Sequence, residues 1–126
     1  LVTRKGGNIA VFALGDFYQL GEELCDHIEK EIGIAPTLVN PRYITGLDVD
    51  LLNSLKENHQ VVLPMEDGVL DGGYGQKIAS FYGPSTMKVM NYGLKKEFID
   101  RFNASEILKE NKITIEDMIN DLKNII

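Results

Sequence analysis

The chain has 126 residues, 44% of them hydrophobic, and a formal net charge of -6, which suits one globular domain with a buried core. The acidic balance argues against nucleic acid and anionic membrane as partners, because both attract Lys and Arg. No apolar run approaches the roughly 20 residues that span a bilayer. The single cysteine, Cys25, excludes an internal disulfide framework, and the chain opens without a secretory signal, so we expect a cytoplasmic protein.

The first half of the chain predicts strand, helix, strand and helix. The apolar run 9–14 is typical of a strand buried on both faces. Asp16 is placed to cap the following helix, and Gly33 to end it in the left-handed conformation. A short strand follows at 37–40, and Asp48 is placed to cap a second helix. The apolar residues of the first helix recur at helical spacing: Phe17, Leu20, Leu24, Ile28 and Ile32.

The second half continues the alternation. A third strand is predicted at 61–65, and we expect it to end or bulge at Pro64, because a central strand rarely tolerates proline. A third helix around Ile78 stops at Gly83–Pro84, and residues 87–91 predict a fourth strand.

Two capping pairs mark the closing helices: Asn103 with Glu106, and Thr114 with Asp117. The last helix carries an apolar stripe, so we expect it to dock on the core rather than trail in solvent. The stripe consists of Ile115, Met118, Ile119, Leu122, Ile125 and Ile126.

Alternation of strand and helix implies parallel strands joined by right-handed crossovers, with helices on both faces of the sheet. We assign residues 9–126 to this α/β domain and residues 1–8 to a linker remnant. Because the sequence begins at Leu1 rather than Met, we interpret it as a piece of a longer protein.

A candidate ligand site follows from this topology, since open parallel sheets bind ligands beyond the carboxyl ends of their strands. Here those ends are followed by Gly15, Asp16, Arg42, Glu66, Gly72, Gly73 and Gly75. The later glycines precede a predicted helix, so their N–H groups are placed to hold an anion. The arginine is placed to grip an oxyanion, and the glutamate is a candidate acid or base.

Structural roles compete with each of these functions, and we favour them. Glu66, Asp67 and Asp71 would repel a phosphate, and the spacing matches neither a dinucleotide fingerprint nor a P-loop. The glycines are then expected to serve tight turns and helix–sheet packing. Glu66 is expected to be a capping or hydrogen-bonded carboxylate, and Arg42 to pair with an acid.

The histidines and the cysteine predict no catalytic set. His27 is expected to be solvated beside Glu23 and Glu31, and His59 to cap a helix end. Cys25 lies on the apolar face of the first helix, as a small core residue does. Neither histidine has a metal-ligating partner at motif spacing, so we assign no metal site and no catalytic residue.

Several segments resemble the C-terminal domains of transketolases. Residues 41–48 are similar to the segment after the second core strand of those domains. Strand 61–65 running into residues 66–75 resembles their acidic and then glycine-rich stretch. Residues 91–99 are most similar to 1-deoxy-D-xylulose-5-phosphate synthases, and residues 7–126 align with the last domain of that family.

The resemblance implies a three-layer α/β/α fold around a mostly parallel five-stranded sheet with one antiparallel strand, for which residues 2–5 are the candidate. It implies a parent enzyme that uses thiamine diphosphate and Mg²⁺ to join pyruvate and glyceraldehyde 3-phosphate with loss of CO₂. The cofactor would lie between the preceding domains. This last domain would bind no cofactor, contribute to contacts in a homodimer and be inactive alone.

Two other hypotheses stay open. The chain is alternatively the equivalent domain of transketolase or of a 2-oxoacid dehydrogenase beta subunit. In a different class, it is a stand-alone regulatory module that holds a small ligand at the switch-point loops.

Overall fold

Apolar strands alternate with amphipathic helices along the chain, as the residue pattern predicts. A computed structural model describes residues 2–13, 17–40, 49–66, 74–83, 85–93 and 114–125. The strands are β1 (Val2–Arg4), β2 (Asn8–Ala13), β3 (Thr37–Val39), β4 (His59–Glu66), β5 (Lys88–Val89) and β6 (Tyr92–Gly93). The helices are α1 (Tyr18–Ile32), α2 (Val49–Leu55), α3 (Tyr74–Tyr82) and α4 (Ile115–Ile125).

The strands form one sheet in the order β1-β3-β2-β4-β5, and β6 also pairs with β4. Because β5 and β6 both run parallel to β4 and follow one another along it, they occupy a single strand position. β1 runs antiparallel to β3, and the other pairings of the described strands are parallel. The predicted mostly parallel five-stranded sheet is confirmed, and its antiparallel strand lies at Val2–Arg4.

Helices cover both faces of the sheet. Side chains alternate between the two faces along each strand, so one strand contributes to two cores. Ile9, Val11 and Ala13 of β2 belong to the core that α1 and α4 cover. Ala10 and Phe12 belong to the second core, beneath α2 and α3. The three-layer arrangement is therefore confirmed, and it explains why β2 is apolar at consecutive positions.

Strand β4 continues through Pro64 to Glu66, so the expected end or bulge at Pro64 is wrong. Pro64 pairs in register with Phe12 of β2. On the other side, Met90 N–H donates to the Val62 carbonyl at 2.9 Å. A parallel ladder would return a bond from residue 64 to the Met90 carbonyl. Proline lacks the N–H for that bond. The pairing with β4 is therefore interrupted between β5 and β6, while β4 itself continues.

Helix α1 ends as predicted and begins one residue later than predicted. Gly33 has φ of 82°, and its N–H bonds to two carbonyls of the last turn at 3.2 Å. At the start, Phe17 rather than Asp16 occupies the N-cap position and supplies no side-chain capping bond. Phe17 is buried, so packing fixes this end of the helix. Asp16, and Asp48 before α2, lie outside the described residues.

Helix α4 docks on the core through its apolar stripe, as predicted. Its buried residues are Met118, Ile119 and Leu122. Thr114 caps it, since its Oγ1 accepts the Asp117 N–H at 3.2 Å and its hydroxyl donates to the Asp117 carboxylate at 2.8 Å. The second predicted capping pair, Asn103 with Glu106, lies outside the described residues.

Candidate functional site

The carboxyl ends of β2, β3 and β4 meet at one edge of the sheet. The chain passes from β2 to β3 on one side of β2 and later to β4 on its other side, so the strand order reverses at β2. This is the type of crevice in which open α/β sheets bind ligands, and it is the edge at which the sequence predicts a site.

Two of the candidate residues lie within the described part of the chain. Glu66 is the last residue of β4, and its backbone pairs with Gly93 of β6. Gly75 lies inside the first turn of α3 rather than in the loop before it, because the helix already begins at Tyr74. Its N–H still belongs to the first helical turn, where N–H groups have no partner within the helix.

The other candidates lie outside the described residues, and their convergence at this edge stays a prediction. They are Gly15, Asp16, Arg42, Gly72 and Gly73. The residues that end β2 and precede Glu66 in β4, Ala13 and Met65, are fully buried. The described part of this edge therefore contains the end of β4 and the start of α3, next to two buried apolar residues.

His59 bonds to the end of a helix, as the capping interpretation predicts, but it is buried as well. It is 7% exposed, and its ring hydrogen-bonds the backbone of Leu55, the last residue of α2. Burial lowers the pKa of His59, and the bond to Leu55 partly opposes that shift. The ring also contacts Thr37 and Asn58, which sequence reasoning missed because Thr37 is 22 residues away.

His27 is exposed on α1, as predicted, and its Nδ1 lies 3.4 Å from a carboxylate oxygen of Glu31. It lines a groove of about 250 Å³ between α1 and α4. The other residues lining this groove are Glu31, Ile115, Glu116, Ile119, Asn120 and Lys123. Among the described residues no group of three or more His, Cys, Asp or Glu side chains is arranged to hold a metal ion.

Cys25 is fully buried on the core face of α1, which confirms its structural interpretation. Burial raises the pKa of its thiol to about 12. A thiol that stays protonated at neutral pH is a poor nucleophile. Cys25 therefore contributes packing, not reactivity.

Strand β1 is tied to α1 by contacts that the sequence pattern does not reveal. Arg4 Nη1 donates to Asp26 Oδ1 at 2.7 Å, and Arg4 Nη2 lies 3.9 Å from a carboxylate oxygen of Glu22. The Tyr18 hydroxyl donates to Thr3 Oγ1 at 2.7 Å. These contacts join the edge strand to α1 near the surface of the molecule.

Comparison with known sequences places these features in a family. Residues 1–118 match the model of the transketolase C-terminal domain. The 1-deoxy-D-xylulose-5-phosphate synthase of Dehalococcoides mccartyi is 34% identical over 108 residues, covering 82% of this chain and 16% of that protein. The synthase of Lysinibacillus sphaericus is 28% identical over 121 residues, covering 94% and 19%. The chain thus spans 16–19% of the length of these curated relatives.

Two solved structures share the fold. A split-gene transketolase, described as an inactive beta4 tetramer, superposes with a TM-score of 0.78 at 23% identity, covering 98% of this chain and 40% of that one. A 2-oxoglutarate:ferredoxin oxidoreductase from Magnetococcus marinus gives 0.58 at 15% identity, covering 97% and 18%. In the described part of this chain, no helix is long and apolar enough to cross a membrane.

The family match extends over most of the chain, and the sheet with its single antiparallel edge strand agrees with it. The chain belongs to the transketolase C-terminal domain family.

Proposed function

We propose that this chain is the C-terminal domain of a thiamine-diphosphate-dependent 1-deoxy-D-xylulose-5-phosphate synthase. The whole enzyme would join pyruvate to glyceraldehyde 3-phosphate with loss of CO₂. The observation that carries the proposal is the similarity of 28–34% over most of this chain to synthases several times its length. We place the enzyme in the cytoplasm.

In this proposal the domain has a structural role and supplies contacts within a homodimer. Of the titratable side chains, Cys25 is protonated in the core, His59 is buried with both ring nitrogens bonded, and His27 is solvated. None of these is arranged as a nucleophile with its base. A split-gene transketolase that shares this fold is described as an inactive beta4 tetramer.

The described residues do not fit a thiamine diphosphate site. A diphosphate with Mg²⁺ needs oxygen ligands for the metal and cations or free N–H groups for the phosphates. The described residues offer no metal-ligating cluster, and the start of α3 follows the acidic segment that begins at Glu66. We therefore assign the cofactor to the preceding domains of the parent and derive no catalytic step through this domain.

An activity assay tests the proposal. The purified chain is mixed with thiamine diphosphate, Mg²⁺, pyruvate and glyceraldehyde 3-phosphate, with the Dehalococcoides mccartyi synthase as positive control. We expect no product from this chain, and turnover by the pure chain would contradict the structural role.

The gene sequence upstream of Leu1 separates the synthase from its relatives. We expect it to encode segments similar to the first two domains of the synthases. Upstream segments typical of transketolase, or of a 2-oxoacid dehydrogenase beta subunit, would overturn the assignment.

A further inference from the structure

The amino-terminal edge of the sheet, opposite the candidate site, contains a buried chain of polar groups. His59 begins β4 and Thr37 begins β3, and they are 7% and 3% exposed. His59 Nε2 lies 2.8 Å from Thr37 Oγ1, and Nδ1 lies 2.6 Å from Asn58 Oδ1. The Gly6 N–H donates to the same Thr37 oxygen at 3.0 Å. The imidazole therefore reaches, through one hydroxyl, the turn that joins β1 to β2.

These bonds determine which ring nitrogen carries the proton. Thr37 Oγ1 accepts from Gly6, so its own O–H is available to donate to Nε2 of the ring. Nδ1 then carries the proton and donates to Asn58 Oδ1. A neutral His59 thus satisfies each of its neighbours in this chain of hydrogen bonds.

The turn is packed tightly where this chain of bonds ends. A Cβ added at Gly6 would lie 2.1 Å from the Ala35 carbonyl oxygen and 2.6 Å from that of Pro36. The Gly7 N–H donates to the Ala35 carbonyl at 3.0 Å. By contrast, β1 is short and its register on β3 shifts between Val2 and Arg4. The turn therefore adds a partly buried anchor for β1 to the exposed contacts that Thr3 and Arg4 make with α1.

A protonated ring does not fit this arrangement. Both ring nitrogens of His59 would then donate, so Nε2 would no longer accept the Thr37 hydroxyl proton, while the Thr37 oxygen would accept from both Nε2–H and the Gly6 N–H. The Thr37 hydroxyl proton would lose its acceptor inside the protein, and a buried donor without a partner is costly.

The surroundings compensate the charge of a protonated ring only in part, through the backbone of Leu55. Lys5 lies on the β1–β2 turn, and Lys56 and Glu57 follow α2, while β2 and residues 33–36 contribute no charged side chain. Among the described residues, no ion pair joins any of these groups to His59. Lys56 instead lies 5.2 Å from the ring centroid of Phe81. Burial accordingly lowers the pKa of His59.

We propose that His59 is a proton-sensitive latch for the edge strand: the neutral ring fastens the β1–β2 turn through Thr37, and protonation releases the turn and β1 from β3. Release would expose the unpaired backbone edge of β3 to another strand. This inference goes beyond the proposed function and does not depend on it.

Amide hydrogen exchange of the 126-residue chain tests the latch. Protection factors, corrected for the intrinsic exchange rate, are measured by NMR between pH 8 and pH 5.5 for Gly6 and Gly7. We expect them to fall by up to about tenfold for each pH unit below the ordinary histidine value, as linkage to one proton requires. The Met90 amide, which bonds to β4 on the other side of the sheet, should keep its protection.

The two histidines supply a matched pair of variants. His59→Gln should abolish the pH dependence at Gly6, whereas His27→Gln, at an exposed position, should leave it unchanged. Thr37→Val should leave the Gly6 amide weakly protected at every pH, because its acceptor is gone.

Several results would overturn the latch. The first is Gly6 protection that stays constant across this pH range. The second is a pH dependence that persists in His59→Gln or disappears in His27→Gln. The third is a loss of protection at Met90 equal to that at Gly6. If His59→Gln does not fold, the ring resonances of His59 in the unmodified chain decide. A ring midpoint at or above the ordinary histidine value of 6.5 contradicts the proposal, because protonation would then not favour release of the turn.

Discussion

The hydroxyl of Tyr92, on β6, donates to Oδ2 of Asp121, on α4, at 2.5 Å. This bond joins α4 to β6. β6 is the second of the two short strands that pair with β4, and it follows the interruption opposite Pro64. Burial raises the pKa of Tyr92, and the Asp121 carboxylate raises it further. The hydroxyl therefore remains a donor across the physiological pH range.

Tyr92→Phe removes this donor and keeps the ring. We expect the free energy of unfolding to fall by about 1.5–3 kcal/mol, the range for a hydrogen bond to a charged group. Tyr18→Phe is the control, because the Tyr18 hydroxyl bonds to Thr3 in an exposed position and its loss should cost less than about 0.5 kcal/mol. Urea denaturation measures both, and equal losses would contradict a special role for the bond to α4.

Leu24→Ala tests the assignment of the buried face of α1. Leu24 is fully buried between α1 and the sheet, so its truncation should lower the free energy of unfolding by about 2–5 kcal/mol. Glu23→Ala, at the adjacent exposed position, should change it by less than about 0.5 kcal/mol. If Leu24→Ala leaves the free energy of unfolding unchanged, the assigned buried face of α1 is wrong.

The stability of the whole domain should depend on pH through His59. Since burial lowers its pKa in the folded chain from the ordinary 6.5, the unfolded chain binds the proton first as pH falls. The free energy of unfolding is then greatest above about pH 6.5 and declines below it, by up to about 1.4 kcal/mol per pH unit. Urea unfolding at pH 7.5, 6.5 and 5.5 should show this decline in the unmodified chain and less of it in His59→Gln. If the free energy of unfolding declines equally with pH in the unmodified chain and in His59→Gln, burial does not lower the pKa of His59.

Thr114 should contribute to stability through its cap on α4. Thr114→Ala removes both bonds to Asp117 and should cost about 1 kcal/mol. Thr114→Ser keeps a hydroxyl at the same place and should recover most of that loss. Thermal unfolding measures both variants. Equal melting temperatures for Thr114→Ala and Thr114→Ser would show that the hydroxyl cap contributes nothing.

Much of the fold follows from local pattern. The apolar run of β2, the Gly33 terminus of α1 and the Thr114 cap each depend on residues close together in the chain. β1 does not, because three partly exposed residues become a strand only by pairing with β3. The expectation of a break at Pro64 is wrong for a related reason. The missing N–H of Pro64 divides the neighbouring strand into β5 and β6 and leaves β4 itself continuous.

The candidate site could be predicted less well. Topology locates it at the carboxyl edge of the sheet, but most of its residues belong to loops, whose conformation the periodicity of flanking elements does not determine. The bonds of His59 to Thr37 required two strands that are distant in sequence to start side by side. A histidine alone in the sequence predicted only its bond to the nearby helix end.

The most direct test of the account is a domain exchange. The C-terminal domain of the Dehalococcoides mccartyi synthase is replaced by this chain, and formation of 1-deoxyxylulose 5-phosphate from pyruvate and glyceraldehyde 3-phosphate is measured against the truncated synthase. We predict product from the chimera and none from the truncated enzyme. A chimera that folds and dimerises yet is no more active than the truncated synthase would contradict the assignment.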